Sequence, residues 1–142
     1  MLFRSGVPAA RLSVMAPWSH DDVHFDESDR KAFRREHGLE GKFVVMYAGN
    51  HSPCNPLDTL VSAARHFSKD SNVVFCFVGG GIGFRALEGV QSTEAARIVR
   101  VPYQPRERLS SVLSAADLHV VTLGDPFRGR SEERRVGKEC RL

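Results

Sequence analysis

The sequence predicts an α/β fold, a Rossmann-like parallel sheet with helices on both faces, of which the chain carries an incomplete part. Four apolar runs start at residues 43, 73, 98 and 118, and the intervals of 30, 25 and 20 residues match a strand with its crossover helix. The runs are continuous rather than alternating, which is typical of strands that helices cover on both faces. Helical patterns fill the intervals, so the order of elements favours a doubly wound sheet.

The first two strands are predicted over 43–48 and 73–78. The turn cluster 49–53 follows the first strand, and Asn55 is the expected N-cap of a helix over about 56–68 with Pro56 at its first position. The apolar residues of that helix recur at helical spacing: Leu57, Leu60, Val61, Ala64 and Phe67. Four glycines in five positions, 79–83, follow the second strand, and a short helix is predicted after them over 84–88.

The third strand is predicted over 98–101 and ends at Pro102. Pro105 begins the next helix, whose apolar face consists of Leu109, Val112, Leu113 and Ala116. The fourth strand is predicted over 118–123, with His119 as a satisfied core histidine in or beside the sheet.

The chain divides into three parts. Residues 1–40 are expected to form a linker from a preceding domain, with a short charged helix over 28–39 closed by Gly38. Residues 41–127 are expected to form a truncated Rossmann-like domain. Residues 128–142 are expected to be a non-native tail, because 130–141 has no helix or strand periodicity and resembles a translated sequencing adaptor.

Charge and composition narrow the function classes. The net charge is +3, and the segment 130–142 alone contributes +2 of it, so nucleic acid is not an expected partner of the domain. No apolar run approaches a membrane span and no signal peptide is present, which favours the cytoplasm. The three cysteines, Cys54, Cys76 and Cys140, fit no zinc spacing, so we expect reduced thiols, no metal and no cofactor. The signature motifs of serine hydrolases, zinc proteases and P-loop enzymes are absent from the sequence.

Candidate binding residues lie in the loops that follow the first three strands, because ligands of open parallel sheets bind outside the carboxyl ends of the strands. The first loop offers Gly49, Asn50 and His51, with His51 as a candidate proton donor or phosphate contact. The second offers Gly79, Gly80 and Gly81, followed by Arg85. The third offers Tyr103 and Gln104, a ring and an amide that suit a nucleobase. Each loop can also be interpreted structurally, the first two as turns and the third as a stiff surface connection.

Four segments in this order resemble the C-terminal, donor-binding domain of retaining glycosyltransferases of the GT-B architecture, in family 4. The segments are 42–51 (KFVVMYAGNH), 77–81 (FVGGG), 101–105 (VPYQP) and 113–123 (LSAADLHVVTL). The resemblance is greatest to bacterial enzymes of exopolysaccharide and surface-polysaccharide synthesis and covers about residues 10–127.

The resemblance implies that the domain over 41–127 binds a nucleotide-diphosphate sugar, usually UDP-linked, as donor for transfer to a glycan or lipid-linked acceptor. It implies that 49–51 lie against the diphosphate and sugar, 79–81 on the nucleotide side and 103–105 near the base. Many relatives carry an Arg and a Lys around the first loop, where this chain has Asn50 and Cys54–Asn55, and Arg85 is the nearby cation. The family's Glu-x7-Glu segment and its acceptor domain lie outside the resemblance, so the fragment itself is expected to be inactive and the full-length parent to be cytoplasmic or peripheral at the inner membrane face.

Two alternatives remain open from the residues alone. Residues 81–86 fit the dinucleotide fingerprint G-x-G-x-x-G/A, which would indicate an oxidoreductase domain, although the fingerprint follows the second crossover and no acidic residue ends the next strand. A pI of about 9.0 and the Arg-rich tail would suit a non-catalytic binding module with a basic tail.

Overall fold

The computed structural model describes residues 23–67, 71–87 and 97–124, together with Arg11 and Ser13. The predicted tail and nearly all of the predicted linker before residue 23 lie outside these residues. The described helices are α1 (Glu27–Glu36), α2 (Asp58–Ala64), α3 (Ile82–Ala86) and α4 (Leu109–Ser114), and a 3-10 turn over Arg106–Arg108 precedes α4. The described strands are β1 (Phe43–Asn50), β2 (Val73–Gly80), β3 (Arg97–Pro102) and β4 (Leu118–His119).

The four strands form one parallel sheet in the order β3-β2-β1-β4. β1 pairs with β2 along its whole length, from Phe43 opposite Val73 to Asn50 opposite Gly80. β4 lies on the other side of β1, so the chain returns across the sheet after β3. The predicted Rossmann-like parallel sheet is therefore confirmed.

The sheet is buried on both faces, which explains its continuous apolar strands. Alternate residues of a strand point to opposite faces. On one face α1 and α4 cover a core of Phe33, Leu39, Val44, Met46, Val74, Cys76, Val78, Val101, Val112 and Ala115. On the other face α2 and α3 pack against a second core of Tyr47, Leu57, Leu60, Val61, Ala64, Phe75, Phe77 and Leu87. Burial raises the pKa of the Cys76 thiol to about 12, so this cysteine is an inert core residue as expected.

Helix α1 is joined to the sheet by one carboxylate. Asp117, which precedes β4, accepts hydrogen bonds from Arg30 Nη2 and Arg34 Nη2, each at 2.6 Å. The Val44 N–H donates to the same carboxylate at 2.7 Å. Asp117 therefore connects α1, β1 and the start of β4.

Two predicted elements are shorter than the periodicity indicated. Helix α2 begins at Asp58 rather than 56, and Asn55 is not its N-cap. The Asn55 side chain is used elsewhere: its Nδ2 donates to the Thr122 carbonyl at 2.7 Å, and its Oδ1 accepts from Ser52 Oγ at 3.2 Å. The loop is thereby fixed to the chain after β4, which leaves the cap position to Leu57.

The fourth strand spans only 118–119 rather than 118–123. Because β4 is the edge of the described sheet, its residues are exposed, and the expected core histidine, His119, lies outside the core. Its Nε2 is nevertheless 2.9 Å from the Leu113 carbonyl oxygen, so the ring has a polar partner.

None of the described helices has the length and apolar character that crossing a membrane requires.

Candidate functional site

The three predicted loops lie together at one edge of the sheet. Gly49 on β1 is the register partner of Gly79 on β2, and Gly79 is in turn the partner of Pro102 on β3. The carboxyl ends of three neighbouring strands therefore stop side by side, and their loops leave from the same edge. In open parallel sheets this edge is where ligands bind.

A cavity of about 260 Å³ opens at this edge, on the side of the sheet that α4 covers. It is lined by Ala48, Gly49, Val78, Gly79, Tyr103, Gln104, Pro105, Arg106, Leu109, Val112 and Leu113. Four of the nine predicted site residues are among them: Gly49, Gly79, Tyr103 and Gln104. The walls are mostly apolar, with a few polar groups at the 103–106 loop, which is the usual composition of a small-molecule site.

The other five predicted site residues do not line this cavity. Asn50, His51, Gly80 and Gly81 lie at the junction of the first two loops. Arg85 is exposed on α3, and its side chain makes no hydrogen bond or ion pair with any described residue. A second hollow of about 460 Å³ lies beside α3, between it, α2 and the 52–58 loop, with Asp58 and Arg65 on its wall.

The glycine run allows the first two loops to approach each other. Gly79 has φ +135°, and a Cβ built on it would lie 2.0 Å from the Gly49 carbonyl oxygen. Gly81 has φ +121°, and its Cβ would lie 2.6 Å from the His51 carbonyl oxygen. A side chain at Gly80, in contrast, would meet open space. Close packing of backbone against backbone, rather than a dinucleotide fingerprint, therefore accounts for Gly79 and Gly81.

His51 holds the two loops together through its backbone. Its N–H donates to the Gly80 carbonyl at 2.8 Å, and its carbonyl accepts from the Gly83 N–H at 2.9 Å. Its ring is fully buried and stacks on Phe84 at a centroid distance of 5.1 Å, with Tyr47 5.0 Å away. In this conformation the ring has no surface to offer a ligand.

The His51 ring is buried without a polar partner. Neither Nδ1 nor Nε2 has a hydrogen-bond partner among the described residues. Burial lowers the pKa of His51 below its ordinary value, because an apolar surrounding disfavours the charged imidazolium. The ring is therefore neutral at pH 7, a state in which it attracts phosphate weakly.

The third loop is fixed by an arginine that the sequence did not single out. Gln104 Nε2 donates to the Pro102 carbonyl at 3.0 Å, and Gln104 Oε1 accepts from Arg108 Nη1 at 3.0 Å. Arg108 in turn forms an ion pair with Glu36 at the end of α1 and lies over the Phe33 ring, 5.6 Å from its centroid. Tyr103 stays 79% exposed beside this network.

The ion pair between Arg108 and Glu36 shifts the pKa of both groups. The hydrogen bond from Arg108 lowers the pKa of Glu36, and the hydrogen bond to Glu36 raises the pKa of Arg108. Both groups are therefore charged throughout the neutral range. Seventy-two positions separate the two residues, and no local pattern in the sequence indicates that they meet.

No group of three or more His, Cys, Asp or Glu side chains that could hold a metal ion occurs in the part of the chain that the structure describes.

No protein-family model matches the chain. Over 120 residues it is 34% identical to the D-inositol 3-phosphate glycosyltransferase of Mycobacteroides abscessus. That match takes in 79% of this chain and 26% of the relative, so the chain spans about a quarter of the relative's length.

Among solved structures, the chain resembles the crystal structure of Anabaena Alr3699/HepE in complex with UDP and glucose. The TM-score is 0.55 at 18% identity, over 69% of this chain and 28% of that one. At this identity the likeness concerns the fold. The chain is thus related in sequence to a glycosyltransferase and has the Rossmann-like fold of a protein crystallised with UDP and glucose.

Proposed function

We propose that this chain is the donor-binding part of a glycosyltransferase that transfers a sugar from a nucleotide-diphosphate donor, a UDP-sugar, to a glycan or lipid-linked acceptor. The observation that carries the proposal is the 260 Å³ cavity at the carboxyl ends of β1 and β2, which Gly49 and Gly79 line. The sequence relationship to a glycosyltransferase supports the same function.

The chemistry of the cavity suits a nucleotide. Val78, Leu109 and Val112 provide an apolar wall for a base and ribose, and the exposed Tyr103 ring at the rim can stack on a base. Gly49, where an added Cβ would meet nothing nearer than the Tyr47 hydroxyl at 3.7 Å, lets the diphosphate approach the backbone closely. Gly49, Gly79, Tyr103 and Gln104 are therefore the proposed contacts, while Asn50, His51, Gly80 and Gly81 support the loops and Arg85 extends from the adjacent helix.

The proposed reaction is hexosyl transfer with retention by an enzyme of GT-B architecture in family 4, acting in bacterial polysaccharide synthesis in the cytoplasm or at the inner membrane face. Such an enzyme gains rate by positioning donor and acceptor and by stabilising the leaving diphosphate. The site proposed for this chain supplies donor contacts only. We therefore propose that the chain by itself binds the donor without transferring the sugar.

Isothermal titration of the 142-residue chain with UDP, UDP-glucose and NAD tests the proposal. We expect UDP and UDP-glucose to bind and NAD not to bind. Leu109→Trp should weaken UDP binding at least tenfold, because Leu109 lines the cavity and is exposed enough to accept a larger ring without disturbing the core. Leu118→Trp, at an exposed position on β4, is the matched control and should leave the affinity unchanged.

Binding of NAD without binding of UDP would overturn the proposal in favour of the dinucleotide-binding alternative. Salt-sensitive binding of nucleic acid alone would favour the binding-module alternative. Release of glucose from UDP-glucose by the isolated chain would contradict the proposed absence of transfer.

A further inference from the structure

We propose that Gln104 is a specificity-determining residue for the nucleobase and that Arg108 positions it. In this inference Arg108 turns the Gln104 amide so that it offers an N–H group to the base. A base with a carbonyl oxygen at C4, uracil, is then preferred over cytosine, which has an amino group there. The inference rests on the proposed nucleotide site and adds to it a residue that reads the base.

The chemistry of its two neighbours fixes the orientation of the Gln104 amide. The Pro102 carbonyl can only accept a hydrogen bond, so the NH₂ group of Gln104 must face it. The Arg108 guanidinium can only donate, so the amide oxygen must face Arg108. Turning the amide over would set oxygen against oxygen and NH₂ against a guanidinium. The orientation therefore follows from the contacts.

Arg108 is itself held from two sides. Its Nη1 lies 3.2 Å from Glu36 Oε1 while Nη2 contacts Glu36 Oε2, a two-pronged pairing that defines the plane of the guanidinium. The same group lies over the ring of Phe33, which is fully buried in the core. The position of the Gln104 amide is therefore set by α1 and the core and not by the loop alone.

The hydrogen-bond inventory of Gln104 gives the preference. A glutamine amide has two N–H donors and one carbonyl oxygen. One N–H is used on Pro102 and one lone pair of the oxygen on Arg108, so the second N–H is the donor that Gln104 can present to a ligand. Gln104 lines the cavity beside Tyr103, at the place proposed for the base. An N–H donor meets an acceptor at C4 of uracil and another donor at C4 of cytosine.

Titration of the 142-residue chain with UDP and with CDP measures this preference. A polar site that matches one partner rejects the mismatched one strongly, and we expect UDP to bind about tenfold tighter than CDP. Gln104→Glu keeps the shape of the side chain and exchanges the donor for an acceptor. The UDP preference should fall to parity or invert. Gln104→Met removes both polar groups and should bring the ratio of affinities close to one.

Variants of Arg108 show whether this residue orients the Gln104 amide or only stabilises the fold. Arg108→Met removes the partner of the amide oxygen and leaves only the Pro102 carbonyl to hold the amide. The amide is then less strictly oriented, so the preference for UDP should shrink to about threefold or less with UDP binding retained. Arg108→Lys keeps a donor for the amide oxygen and should preserve most of the preference. A residue that only stabilised the fold would weaken both nucleotides equally and leave their ratio unchanged.

The outcomes distinguish this inference from the proposed function. Equal binding of UDP and CDP by the wild-type chain, or an unchanged ratio in Gln104→Glu, would overturn the inference and leave the nucleotide site intact. If circular dichroism shows a folded chain that binds neither nucleotide, the proposed function fails and the inference fails with it.

Discussion

Gly79 shows how strictly single positions at the sheet edge are determined. Its φ of +135° is a conformation that side chains rarely adopt, and a Cβ there would lie 2.0 Å from a backbone oxygen of the neighbouring loop. The backbone oxygen belongs to Gly49, on a strand paired along its whole length, so it has little freedom to move away.

We therefore expect Gly79→Ala to lower the free energy of unfolding by about 2–4 kcal/mol, since backbone strain and a backbone clash add together. Gly80→Ala is the matched control. Its side chain would enter open space, and its effect should stay within about 0.5 kcal/mol. Urea denaturation of both variants measures the difference. Equal stability of the two variants would contradict the close packing of the two loops.

His51 links stability to pH. Burial lowers its pKa from the ordinary value of 6.5 in the folded chain, so the unfolded chain binds the proton more readily. Above about pH 6.5 the histidine is neutral in both states, and its contribution does not change with pH. As the pH falls below that value the unfolded state takes up the proton first, and the folded state loses stability.

The melting temperature should therefore fall as the pH is lowered from 7.5 to 5.5, and His51→Phe should flatten this dependence. The Phe ring suits the aromatic contacts with Tyr47 and Phe84 and leaves no buried nitrogen without a partner. His66→Gln, at an exposed position, is the control and should keep the wild-type slope. A residual slope is expected from His37, whose pKa burial also lowers. An unchanged slope in His51→Phe would show that the buried imidazole is not its source.

At the scale of elements, α1 depends on charge as well as on its apolar face. Phe33 is its one buried side chain, and two arginines converge on Asp117 across the sequence. Burial raises the pKa of Asp117, but the hydrogen bonds from the Val44 N–H and the two arginines outweigh burial and lower it. The carboxylate therefore contributes stability above its ordinary pKa near 3.8, and that contribution disappears as the pH falls through the lowered value.

Asp117→Asn should lower the free energy of unfolding at pH 7 by about 2 kcal/mol, because hydrogen bonds to a charged group are lost while their donors stay partly buried. Glu27→Gln, which disrupts exposed ion pairs on the same helix, should change it by no more than about 0.5 kcal/mol. Chemical denaturation at pH 7 compares the two. A cost for Glu27→Gln as large as that for Asp117→Asn would mean that general charge, not the convergence on Asp117, holds α1.

The elements also show what the sequence could predict. The continuous runs at β1, β2 and β3 and the apolar face of α4 determine the parallel sheet, because burial on both faces leaves a direct pattern in the residues. The predicted start of α2 and the predicted end of β4 were wrong. The Asn55 side chain, expected to cap α2, instead donates a hydrogen bond to the Thr122 carbonyl, sixty-seven positions away.

The candidate site was predictable to the extent that it depends on chain order. Loops at the carboxyl ends of parallel strands must meet, and Gly49, Gly79, Tyr103 and Gln104 do line one cavity. Leu109 was assigned to a helix face that packs in the core, although it also forms a wall of the cavity. The Glu36–Arg108 pair and the glycine packing at 79 and 81 depend on contacts between distant segments, which no local pattern records.

For the whole molecule, the sheet order β3-β2-β1-β4 determines where the cavity is found. The excess positive charge of the chain is concentrated elsewhere in the sequence, in 130–142. Binding at the cavity should therefore be independent of that segment.

Deleting residues 130–142 should leave the affinity for UDP within about twofold of the full chain, because the proposed contacts all lie between 49 and 113. Titration of the full and shortened chains at 50 and 200 mM salt measures this. A salt-dependent loss of binding in the shortened chain would give the basic segment a role in the site.

The position of Asp117 also has a consequence for the order in which the chain can fold during synthesis. Arg30 and Arg34 are made early, yet their shared carboxylate follows more than eighty residues later, after three of the four strands. Contacts this distant along the chain form slowly, because the entropy of closing a long loop is lost before the contacts can stabilise the chain. We therefore expect α1 to gain these hydrogen bonds only once residue 117 has been synthesised, and the nascent α1 to depend until then on its Phe33 contacts.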